Sequence, residues 1–337
     1  MNKIFLIFFS VFLLSCRKDS PVSDDPINNP QDTAIIDSSI CGGECEDFPQ
    51  SPELGWFYQS SGPQYKAPCF NPNNSDEFVY LRTGVSGTEL VRYNISTQSE
   101  VVLTNSMSIT SQPQWGKQGW IIFTVLGNRI WKIHENGTGL EQITFFESLK
   151  PSFDTDGSNF ICMGGHPSIS IGYRPVLDLN GSLIDSVYMG YNDRIIGYPY
   201  FPLDSFFHKG YFAYADHAFS DPLRLGVCLY TGTDILELSS YFGHNNFLDL
   251  TANSNHLFYS EYRDKLTKID LSSLNIETFR SGCDTRYYNH IDISPDGTKI
   301  LAQKVISTII DEYGIDEQHE IWLLDVNSCE GQKILGE

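Results

Sequence analysis

The chain is poor in basic residues: 22 Lys and Arg stand against 42 Asp and Glu among 337 residues, a formal charge of −20. A field of that sign repels phosphate backbones and anionic headgroups, so nucleic-acid binding is not expected. Long apolar runs are scarce as well. The most extended, Ile4 to Leu14, is eleven residues interrupted by Ser10, whereas a helix needs about 20 to cross a bilayer. Motifs of common catalytic sites are also missing: there is no Gly-x-Ser-x-Gly elbow, no His-Glu-x-x-His helix and no phosphate-cradling glycine loop. Catalysis is therefore not expected. Charged residues are only 19% and hydrophobic ones 41%, which argues against wholesale disorder and against a coiled coil. What the chain has in quantity is 22 Phe, 18 Tyr, 27 Gly and 16 Pro, the composition of many short strands joined by tight turns. An all-β fold follows.

The amino terminus reads as an address. Lys3 precedes the apolar run, and Leu13-Leu14-Ser15-Cys16 ends it, the layout of a secretory signal. Those four residues resemble the lipobox of bacterial lipoproteins. The resemblance implies removal of residues 1–15 and acylation of Cys16, which anchors the chain to a membrane on the periplasmic or outer-surface side of the cell envelope. Residues 16–53, rich in Asp, Asn, Ser and Pro, have little to bury and read as a flexible acidic tether.

From residue 54 to 337 the chain repeats itself. Clear copies are Pro113-Gln114-Trp115-Gly116-Lys117-Gln118-Gly119, Pro151-Ser152-Phe153-Asp154-Thr155-Asp156-Gly157 and Ile291-Asp292-Ile293-Ser294-Pro295-Asp296-Gly297; weaker ones begin at Pro68, Pro199 and Leu248. The starts are spaced 45, 38, 48, 49 and 43 residues apart, the period of propeller blades. Each copy continues with an apolar strand such as Trp120-Ile121-Ile122-Phe123, a strand such as Arg129-Ile130-Trp131-Lys132-Ile133, and a last one ending Gln142-Ile143-Thr144. No four-stranded sheet covers both of its faces alone, so the sheets must stack around an axis. The expectation is a six-bladed β-propeller with four-stranded antiparallel blades. Its ring is closed either by Leu54 to Tyr58 pairing with the last blade or by Gln332 to Leu335 completing that blade unaided.

The Pro-x-aromatic, Ser-Pro-Asp-Gly, Ile-Trp and Ile-Thr succession resembles the WD-like repeat of TolB-type six-bladed propellers, best over Trp115 to Thr144 and next over Ile291 to Leu324. Blades four and five lose the Ser-Pro-Asp-Gly turn. The α/β domain that precedes the propeller of TolB has no counterpart here, so partnership with the Pal lipoprotein is not carried over. The resemblance implies a fold rather than a function.

Ligands of propellers usually meet the face opposite the Ser-Pro-Asp-Gly turns. His166 and His319 map there in loops between second and third strands, with His244 and His290 just before inner strands; Tyr198, Tyr241, Tyr287 and Tyr288 crowd the same connections beside Asn246 and Asn289. Three readings stand. Aromatic planes and amides suit a glycan, peptide or protein ligand without a cofactor. His244, His290 and His166 are the alternative ligands of a divalent metal ion in a metal-assisted polysaccharide lyase or hydrolase. The plainest reading makes the aromatics packing between blades and the histidines merely exposed. Asp154-Thr155-Asp156-Gly157 reads as a blade turn and not a calcium loop, and Asp311, Glu312, Asp316, Glu317 and Glu320 read as a solvated acidic loop. Of seven cysteines besides Cys16, Cys162 and Cys228 are expected as buried thiols. Cys41 and Cys45 either bridge each other or pin the tether through Cys69.

Overall fold

The computed structural model describes residues 57–84, 87–154, 156–164, 166–169, 173–188, 205–208, 211–216, 224–230, 235–239, 247–253, 255–261, 265–273, 275–283, 286–311, 313–328 and 330–336. For 187–188, 261 and the strands within 205–248 it describes the backbone alone. The signal peptide, Cys16 and the tether lie outside the described residues.

After β1 (Phe57–Gln59), the strands come in fours. The first sheet is β2 (Gln64–Asn71), β3 (Asn74–Gly84), β4 (Gly87–Asn94) and β5 (Ser99–Met107). Next come β6 (Gln114–Trp115), β7 (Trp120–Val125), β8 (Arg129–His134) and β9 (Glu141–Gln142), then β10 (Ser148–Phe153), β11 (Asn159–Gly164), β12 (Tyr173–Asp178) and β13 (Leu183–Tyr188). A fourth sheet holds β14 (Ser205–His208), β15 (Tyr211–Asp216), β16 (Arg224–Tyr230) and β17 (Ile235–Ser239). A fifth holds β18 (Phe247–Ala252), β19 (His256–Glu261), β20 (Leu266–Asp270) and β21 (Ile276–Arg280). The last has β22 (Arg286–Ile293), β23 (Lys299–Ile309), β24 (Gly314–Asp325) and β25 (Gly331–Leu335). Within each sheet the strands pair antiparallel in chain order, as a meander with short connections requires.

The chain is thus an all-β propeller with four-stranded antiparallel blades. Five sheets have four strands, and the last departs from the expected pattern with five. The reason lies in the length of β24: its outer edge pairs antiparallel with β25 over Ile321 to Leu324, and parallel with β1 over Gly314 to Asp316. Both stretches named by the sequence thus pair with one strand, side by side, so Gln332 to Leu335 does not complete the blade unaided. The first strands touch in cyclic order, β2, β6, β10, β14, β18, β22 and back to β2.

Packing between sheets follows from two-residue alternation. In β3, Phe78 and Tyr80 turn to one face and meet Leu301 and Ile321 of the last sheet. Val79 and Leu81 turn to the other and meet Trp115, Ile121 and Phe123 of the second. Ile122 and Ile130 face onward to Phe153 and Phe160 of the third, and Ile300, Ala302 and Leu324 face back to Phe258 and Leu266 of the fifth. Because both faces are covered, the second strands are continuous apolar runs and not alternating ones.

The blade turns hold the repeats in register. Asp154 accepts hydrogen bonds from the Ser158 backbone N–H (3.1 Å) and from Asn159 Nδ2 (3.0 Å), so its carboxylate fastens the turn. Gly157 sits at φ 70°, and a Cβ there would lie 2.5 Å from the backbone nitrogen of Lys117 in the neighbouring blade, which reserves the position for glycine.

Cys162 is a fully buried thiol that burial pushes up to about 12. Cys69 is a buried thiol with Sγ 3.6 Å from the Phe70 carbonyl, and Cys41 and Cys45 lie outside the described residues. Cys283 is disulfide-bonded, to a cysteine outside the described side chains.

Candidate functional site

The inner edge of a propeller is a row of backbone groups with no fifth strand to pair them, and each buried N–H needs an acceptor. Registers place Cys69, Gln114, Ser152, Thr251 and Asp292 at corresponding positions on five inner strands, each one residue before a core side chain: Phe70, Trp115, Phe153, Ala252 or Ile293. Two of these side chains, Thr251 and Asp292, serve the neighbouring blade. Thr251 Oγ1 accepts from the Ile293 N–H (2.9 Å) and donates to Asp292 Oδ1 (3.2 Å). Asp292 Oδ2 in turn accepts from the Phe70 N–H (2.7 Å). Nearer the opposite mouth, Asp249 Oδ2 accepts from the Ile291 N–H (2.8 Å). Ser152 differs from them: it is 3% exposed and its Oγ has no hydrogen-bond partner.

Where these strands run out into the Ser-Pro-Asp-Gly-type turns, they surround a cavity of about 640 Å³. Phe70, Trp115, Phe153, Ile293 and Val326 supply apolar wall. Gln114, Ser152, Asn253, Asn255, His256 and Ser294 supply polar groups, and Lys117, Asp154, Asp292 and Asp296 supply charge. Burial would raise the Asp296 carboxyl, but hydrogen bonds from Ser294 Oγ and from the Thr298 backbone and hydroxyl outweigh it and hold it at about 2. His256 is pushed below the usual imidazole range by burial first and then by Lys268. An apolar vessel with convergent donors and acceptors suits a ligand. It opens at the turn face, whereas the sequence pointed to the opposite one.

The residues singled out from the sequence fall as follows. His290 lies within β22, not ahead of it, with Nδ1 3.6 Å from Asp249 Oδ2. The Asn289 carbonyl accepts from Ser260 Oγ (2.8 Å). Tyr287 and Tyr288 are 3% and 7% exposed, and Tyr288 packs with Phe258, Phe279 and Ile291 between blades, so its ring offers no face to a ligand. His166 sets its ring edge on Phe146 at 4.9 Å. His244, Asn246, Tyr198 and Tyr241 lie outside the described residues. Among the described residues, no group of three His, Cys, Asp or Glu is arranged to hold a metal ion.

The acidic stretch expected as a solvated loop is corrected: most of it is strand. Asp316, Glu317, His319 and Glu320 belong to β24, opposite β23. Asp316 and Glu320 are buried, and each finds donors: Ser61 N–H and Oγ for Asp316, and Trp322 Nε1 and Lys333 Nζ for Glu320. His319 likewise is a strand residue. Its Nδ1 lies 2.6 Å from Gln303 Nε2, whose amide oxygen accepts from the Ala67 N–H. Burial, then the nearby charges of Lys66 and His290, push His319 down to about 3, so it is neutral at physiological pH, accepting from Gln303.

No family model and no curated protein matches the chain. Solved structures do. The chain is similar to a TolB from Agrobacterium tumefaciens (12% identity, 74% of this chain and 88% of that one, TM-score 0.54). It is also similar to the β-propeller domain of the trilobed protease from Pyrococcus furiosus, described as having an open velcro topology (9%, 82% and 97%, TM-score 0.51). Against TolB from Acinetobacter baumannii (12%, TM-score 0.49) it covers 66% of its own length and spans 56% of that protein. At these identities the likeness is one of fold, and by fold the chain stands with TolB-like β-propellers.

Proposed function

We propose that the chain is a six-bladed binding module of the bacterial cell envelope, held at a membrane by acylated Cys16, that grips a segment of a protein partner in the cavity at the turn face. In this reading the five-stranded sheet is the sixth blade, and no cofactor is called for. The observation that carries the proposal is the cavity itself, with Trp115 and Phe153 beside Gln114, Asn253 and Asn255: aromatic walls take up apolar stems while amides bond a peptide backbone. The disulfide at Cys283 supports a compartment outside the cytoplasm.

A photoreactive residue in place of Asn255, in the full chain within its native envelope, is expected to yield a discrete protein adduct on irradiation. An adduct abolished by soluble glycans, or none with any protein, would overturn the reading. Anchoring is tested separately. The Cys16→Ala chain should take up no fatty-acid label and should leave the membrane fraction; a variant that stays with the membrane refutes the anchor.

A further inference from the structure

Two independent features of the turn-face cavity converge on one class of occupant. The first is charge. Three carboxylates line it, Asp154, Asp292 and Asp296, against the single ammonium of Lys117, which stands exposed. The chain as a whole carries −20, and a concave site within such a field concentrates cations. The second is the orphaned Ser152 hydroxyl, buried in the wall, whereas Thr251 and Asp292 at corresponding positions are hydrogen-bonded across blades. Leaving a buried hydroxyl unbonded is costly, so an orphan in the wall of this cavity marks a place where a ligand donor or acceptor completes the set.

We propose that the cavity receives a basic side chain of a polypeptide, lysine or arginine, whose N–H groups are shared between the Ser152 hydroxyl and the lining carboxylates while its methylene stem lies along Trp115 and Phe153. This deepens the binding reading above and rests on it. Lys and Arg stems pack on apolar surface while their heads seek acceptors, and hydrogen bonds with an ionised partner are roughly twice as strong as neutral ones. An acidic peptide would instead meet the carboxylates head on.

The test uses the full-length chain in detergent and two short fluorescent peptides of equal length, one alternating lysine with serine and one alternating glutamate with serine, with free lysine amide as a third probe. The basic peptide is expected to bind, with an affinity that falls as salt is raised, and the acidic one is not. Ser152→Ala should weaken basic-peptide binding about tenfold while leaving the denaturation midpoint unchanged or higher, because it removes an unsatisfied group. Asp154→Asn should weaken binding by a similar factor. Lysine amide competing as well as the peptide would show that a free amine, and not a polypeptide, is the occupant and would overturn the proposal. Equal binding of both peptides, or indifference to both substitutions, would overturn it too. If the Asn255 adduct forms and neither peptide binds, the binding reading stands and the basic side chain falls.

Discussion

Asp292→Ala is expected to lower the unfolding free energy by about 3 kcal/mol, out of proportion to the loss of one small side chain. Asp292 is 4% exposed, and its two oxygens take hydrogen bonds from Phe70 N–H in the next blade and from Thr251 Oγ1 in the preceding one. Truncation leaves a buried amide and a buried hydroxyl unmet at the point where three blades converge, and no strand edge is at hand to replace the acceptor. Asp292→Asn keeps one acceptor oxygen and should cost about half as much. Guanidinium titrations read both: the midpoint should fall in that order with an unchanged slope. A midpoint that does not move in the alanine variant would mean that the neighbouring blades are not held through this carboxylate.

Phe123→Ala should be costlier still, about 3–5 kcal/mol. Phe123 is fully buried between the first and second sheets, in the cluster with Val79, Leu81, Ile121 and Ile133. Both sheets are pinned by their own ladders, so neither can close over the void. Phe123→Leu, which keeps most of the volume, should recover more than half of the loss. The same titration decides it, and equal costs for the two substitutions would show that the interface repacks freely.

Much of the architecture was legible because a propeller writes its repeat into local chemistry. Turns such as Ser294-Pro295-Asp296-Gly297 set the phase, and runs such as Trp120-Ile121-Ile122-Phe123 marked strands covered on both faces. The site was less legible, for a physical reason. Of the histidines and aromatics that the sequence sets at the far mouth, Tyr288 is core packing and His319 is a strand residue bonded to Gln303, while His244, Asn246, Tyr198 and Tyr241 lie outside the described residues. The informative residue was the unassigned middle one of the Pro-x-aromatic motif: Cys69 between Pro68 and Phe70, Gln114 between Pro113 and Trp115, Ser152 between Pro151 and Phe153. Period-two alternation places it opposite the buried aromatic. Which of these side chains bonds a neighbour and which stands unmet depends on the adjoining blade, a relation across some 40 residues that no local window contains. The acidic stretch reads as solvated for a similar reason, since Asp316 finds its donor in Ser61, 255 residues away, and Glu320 finds one in Lys333 of the adjacent strand.

The shared outer edge of β24 has a mechanical corollary. β1 is the first described element of the chain, and it lies alongside Gly314 to Asp316 in parallel register while β25 occupies the remainder of that edge. A pull arriving from the amino-terminal side runs along this strand and loads its crosslinks to β24 together in shear, instead of opening them one at a time like a zipper. Since β24 is knit to β23 over eleven residue pairs, the strain passes into the broadest wall of the ring before it reaches any turn that shapes the cavity.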